Sequence, residues 1–88
     1  MKKVQLTELP QVFSFLQSER PVEAWAVPHC QSRSEYFDSG ISGDVLERIA
    51  DTAQHWTGWA FNETTAFLLF ENEEEAFLAS VTHGEYNV

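Results

Sequence analysis

The 88 residues, 43% hydrophobic and 14% aromatic, hold enough core-forming material to fold, and fit one domain without room for a second core. The formal charge of −9 argues against direct contact with nucleic acid or an anionic membrane, because such binding draws on Lys and Arg to displace counterions. A lone Cys30 excludes an internal disulfide, no apolar run reaches the roughly 18 residues of a membrane helix, and Met1-Lys2-Lys3 opens a segment too polar for a signal peptide. The expected location is the cytoplasm.

In chain order, a short strand at Lys3 to Leu6 is an optional first element. Thr7 then offers a cap and Leu9, Val12, Phe13 and Leu16 recur at helical spacing, which predicts a first helix over residues 8–18. Val22 to Val27 reads as a strand ended by Pro28. The segment 28–43, rich in Ser and Gly yet carrying Tyr36, Phe37 and Ile41, reads as a long loop, with or without a short strand at Glu35-Tyr36-Phe37. Asp44 and Glu47 form a capping-box-like pair at the start of a second helix over 44–56, with Val45, Leu46, Ile49, Ala50, Ala53 and Trp56 on its apolar face.

Gly58 releases two strands, Trp59 to Glu63 and Ala66 to Glu71, joined as an antiparallel hairpin through Thr64-Thr65. Ala66 to Phe70 is apolar on both sides, as a central strand covered on both faces would be. Asn72 with Glu75 at the reciprocal position caps a third helix whose inward face reads Ala76, Phe77, Ser80 and Val81. Phe13, Trp56, Phe61, Phe67, Phe70 and Phe77 sit at core-facing spacing. The fold class is therefore α+β: a small, mostly antiparallel sheet of three to four strands with three helices.

The strand around Trp59 and Phe61, the strand Phe67 to Phe70 and the following Glu73-Glu74-Glu75-Ala76-Phe77-Leu78 resemble the ending of short phage-encoded α+β proteins. That resemblance covers about the last third of the chain, and its motif of strand, tight turn and capped helix also arises in unrelated chains. It implies a ferredoxin-like or related sandwich, and a place among small acidic phage proteins that inhibit host nucleases or polymerases.

Catalysis finds little support in the residues themselves. His29 and Cys30 are adjacent, and on an extended segment neighbours point to opposite faces, so neither serves the other as base or nucleophile. Three scattered histidines and one cysteine do not supply a zinc set, and the acidic residues lack the spacing of a calcium loop. No glycine-rich phosphate loop follows a strand. Neither a cofactor nor a metal is expected, and the chain reads as a non-enzyme.

Charge is the informative feature. Residues 1–48 hold seven acidic and five basic residues, whereas 49–88 hold seven acidic residues and no Lys or Arg. Glu71, Glu73, Glu74 and Glu75 complement the dipole of the third helix. With Asp51, Glu63 and Glu85 they also make an anionic face suited to a basic groove. The partner-binding residues expected on this reading are Tyr36, Phe37, Asp38, Glu63, Glu71, Glu73 and Glu74, the first three as an aromatic loop able to enter a partner's pocket. The implied partner is a basic protein or nucleic-acid-binding enzyme. Two further readings stay open: an immunity protein that neutralises a basic toxin, and a homo-oligomeric structural or regulatory domain.

Overall fold

The computed structural model describes residues 2–9, 11–14, 19–31 and 41–83. Five strands, β1 (Lys2–Gln5), β2 (Val12–Ser14), β3 (Glu23–Gln31), β4 (Thr57–Phe61) and β5 (Thr65–Phe70), form one sheet in the order β1-β3-β5-β4-β2. Every neighbouring pair is antiparallel. Helices α1 (Gly43–Thr52) and α2 (Glu73–Thr82) accompany the sheet among the described residues. β3 and β4 therefore run parallel with β5 between them, a split β-α-β unit whose crossover contains α1.

The class is the expected α+β, with five strands and two helices among the described residues. The expected helix over 8–18 is replaced, where described, by a single 3-10 turn at Leu6–Glu8 and by β2. Local spacing favoured a helix there, yet Val12 and Phe13 are held instead by pairing with Ala60 and Trp59. The pairing depends on Gly58: a Cβ at that position would lie 2.1 Å from the carbonyl oxygen of Phe13. Arg20 secures the outer side of β2 by donating to the carbonyl of Val12 at 2.7 Å.

β5 is central, between β3 and β4, and buried on both faces, as its sequence implies. On one side Ala66, Leu68 and Phe70 pack with Val27, Ile41, Ile49, Ala76 and Ala79, joining the sheet to both helices. On the other, Leu69 packs with Leu6, Val12, Ala24, Ala26, Trp56 and Ala60. Leu68 and Leu69 are fully buried, and burying each such side chain contributes about 1.5–3 kcal/mol. The hairpin turn is held by Asn62, whose Oδ1 accepts from the N–H groups of Thr64 (2.9 Å) and Thr65 (2.8 Å).

Pro28 does not end β3. The strand continues to Gln31 through a register shift: Pro28 is level with Phe67 and Cys30 with Ala66, which leaves His29 as an extra residue, a β-bulge. α1 starts one residue before the expected position and stops at Thr52, with Ser42 as its N-cap in place of Asp44. Ser42 Oγ accepts from the N–H of Val45 at 3.3 Å. Trp56 lies beyond the helix and packs in the core on the other side of the sheet.

Candidate functional site

α2 begins at Asn72, whose Oδ1 accepts from the N–H of Glu75 at 3.1 Å, as its sequence implies. The reciprocal half of the capping box does not form. Glu75 Oε1 instead accepts from the N–H of Gln54 (3.0 Å) and from Nδ1 of His55 (2.9 Å), tying the start of α2 to the segment after α1. The two helices run antiparallel, with Ile49, Thr52 and Ala53 facing Glu75, Leu78, Ala79, Thr82 and His83 across a shallow cleft.

This anchoring fixes the rotation of α2, and it differs from the expected one. Ala76 and Ala79 are the buried residues. Phe77, Leu78 and Val81 are 58%, 63% and 70% exposed. The assignment of Phe77 and Val81 to the inward face is thereby corrected: a helix seated close to the sheet has room only for small side chains on its inner side. Phe13 is likewise 41% exposed, its ring stacked on Trp59 at 5.4 Å and near Phe61 at 6.1 Å.

Of the expected partner-binding residues, Glu71, Glu73 and Glu74 are brought together, all exposed, around the N-terminal end of α2. Asn72, Glu73, Glu74, Phe77 and Leu78 line one open groove there. No ion pair holds Glu71, Glu73 or Glu74 among the described residues. Glu63 is exposed in the hairpin turn at the other end of β5, about 20 Å away along a six-residue strand. Asp51 is exposed on the last turn of α1. Tyr36, Phe37, Asp38 and Glu85 lie outside the described residues.

The opposite end of α2 has a different character. The Nδ1–H of His29, at the bulge, donates to the carbonyl of His83, the residue that ends the helix. Burial, then the charges of His29 and Arg48, hold the His83 imidazole below the ordinary value of 6.5. His83 thus meets His29 of β3 at this end, while α1 carries the exposed Asp44 and Glu47 as well as Arg48. The Cys30 side chain, expected on the face opposite His29, lies outside the described residues.

Phe77, Leu78 and Val81 escaped the sequence reading as surface residues, although a signal existed. Counting from the cap, Asn72, Glu75, Ala76 and Ala79 form one stripe, and Glu74, Phe77, Leu78 and Val81 form another. The structure turns the stripe of small residues, Ala76 and Ala79, toward the sheet. Among the described residues no group of three or more His, Cys, Asp or Glu is placed to hold a metal ion, and no helix is long and apolar enough to cross a membrane.

No protein-family model matches the chain, and neither a curated protein nor a solved structure matches it.

Proposed function

We propose that this chain acts by binding a basic protein through the acidic end of α2, without catalysing a reaction, and that it inhibits its partner by occupying a groove built for nucleic acid. One observation carries the reading: Glu71, Glu73 and Glu74 project together, exposed and unneutralised among the described residues, from a half of the chain that contains no Lys or Arg. Ordinary solvated surfaces intersperse both signs. Carboxylates held on one helical turn offer a basic groove what a phosphate backbone offers it, acceptor oxygens in a fixed array. A phage-type antagonist of a host nucleic-acid enzyme or defence complex uses this chemistry, as does an immunity protein against a basic toxin.

We read the fold as a relative of the ferredoxin-like sandwich. What supports this is the run β3-α1-β4-β5-α2, which follows the β-α-β-β-α-β order up to its last strand, with β1 supplied ahead of the unit.

The test is capture from a bacterial lysate by the wild-type chain and by a Glu73→Lys/Glu74→Lys variant, at low and high salt, with mass spectrometry of what is retained. The expected result is a basic, nucleic-acid-binding protein held at low salt by the wild type and lost with the variant. Equal retention by both would rule out the acidic end of α2 as the contact.

A further inference from the structure

The face of the sheet opposite the two helices holds a cavity of about 300 Å³, at the lower end of the size range of small-molecule sites. Alternation along β3 makes it. Ala24, Ala26 and Pro28 turn to this face, while the bulkier Trp25 and Val27 turn to the other and pack with the helix-side core. The small Ala26 leaves the floor low, and Val4, Leu9 and Phe67 stand around it. β1 begins at Lys2, level with Ala26, whereas β3 runs on to Gln31. Pro28 therefore lies past the described end of β1, where its missing N–H costs no pairing.

We propose that this cavity binds a small carboxylate with an apolar body, its head held by Lys2. The lining selects the class. The polar side chains in it are Lys2 and Asn62, and Asn62 Oδ1 is already committed to the N–H groups of Thr64 and Thr65. What these two side chains can still offer a ligand is the ammonium and the amide N–H groups, all donors, so an acceptor head is matched and a cationic head is not. Lys2 is exposed and makes no ion pair among the described residues, whereas its neighbour Lys3 is taken by Glu23 at 2.9 Å. The carboxylates next to lining residues in sequence, Glu8 beside Leu9 and Glu63 beside Asn62, are exposed and do not line the cavity.

Size and shape narrow the ligand. At about 30 Å³ apiece the cavity has room for about ten non-hydrogen atoms. Lys2 stands on β1 and Asn62 just after β4, the outer strands of the run β1-β3-β5-β4. About 14 Å or more separates them, so the head meets Lys2 alone and the body runs over Ala26 and Pro28 toward Phe67. The net charge of −9 opposes any anion. Affinity therefore rests on the apolar contact, with a Kd of about 0.1–1 mM for a body of this size, and Lys2 chooses the head. The cavity lies across the sheet from α2, so this inference goes beyond the proposed function, and its failure would leave the acidic contact with a basic partner untouched.

Titration of the full chain with octanoate to about 10 mM, followed through backbone amide chemical shifts, tests the proposal. The expected shifts centre on Val4, Ala26 and Phe67. Octanamide, which keeps the body and loses the charge, should bind about threefold to fivefold more weakly. Lys2→Gln should weaken octanoate by the same factor and leave octanamide unchanged, with an unaltered circular dichroism spectrum because Lys2 is exposed. Absence of shifts at those three residues, or shifts centred on Phe77, Leu78 and Val81 of α2, overturns the proposal. Equal affinity for octanoate and octanamide, or an octanoate affinity that survives Lys2→Gln, overturns the carboxylate class.

Discussion

Ala76 and Phe77 are consecutive on α2, about 100° apart around its axis, yet the alanine is fully buried against the sheet and the phenylalanine mostly in solvent. Size explains the assignment, because Ala76 packs in the same cluster as Val27, Ala66 and Leu68, where a larger side chain would push the helix off the sheet.

The stability consequences are opposite to those expected from hydrophobicity alone. Ala76→Leu should cost about 1–3 kcal/mol by overpacking, whereas Phe77→Ala should change stability by no more than about 0.5 kcal/mol. Urea unfolding measures both.

Gly58 controls the edge of the sheet. Its Cβ would meet the Phe13 carbonyl and stand 3.0 Å from the Trp56 ring, so Gly58→Ala must displace β2 or the indole. The expected loss is about 1–3 kcal/mol, with faster amide hydrogen exchange at Trp59, which pairs with Phe13 and faces β2. Exchange confined to β1 and β3 would contradict this assignment.

Thr57 is fully buried, and its hydroxyl has no hydrogen-bond partner among the described residues. Replacing it by valine keeps the shape and removes an unsatisfied polar atom, so Thr57→Val should raise stability by about 1 kcal/mol. A loss of stability on chemical denaturation would show that the hydroxyl is paired.

His83 makes stability depend on pH. Its native pKa lies below the ordinary 6.5, so the unfolded chain binds the proton more readily. Its contribution is therefore complete above pH 6.5 and declines as the pH falls from there toward the native pKa. Melting curves between neutral and mildly acidic pH should show this decline, and His83→Gln should reduce it.

Much of this fold was legible because pattern and packing agree. The doubly apolar run Ala66 to Phe70 identified the central strand, and Asn72 identified the start of α2. Where two patterns coexist, the sequence could not choose between them. Val12 and Phe13 satisfy a helical spacing as well as a strand, and partners more than forty residues away decide. α2 carries two stripes, one with the small Ala76 and Ala79 and one with Phe77, Leu78 and Val81, and close seating on the sheet admits only the small one. At the candidate site the charges were legible, since Glu71, Glu73 and Glu74 are local in sequence. The separation of Glu63 from them was legible too, since the predicted strand Ala66 to Glu71 already stands between them.

The most direct measurement of the acidic contact is the association rate of the captured partner with the wild-type chain and with Glu73→Lys/Glu74→Lys over a range of salt concentrations. Glu75 is left intact in that variant so that its bonds to Gln54 and His55 persist. If the acidic end of α2 steers binding to a basic groove, the variant should associate about tenfold more slowly at low salt, and its rate should vary less with salt than that of the wild type. Identical rates with identical salt dependence would contradict the account.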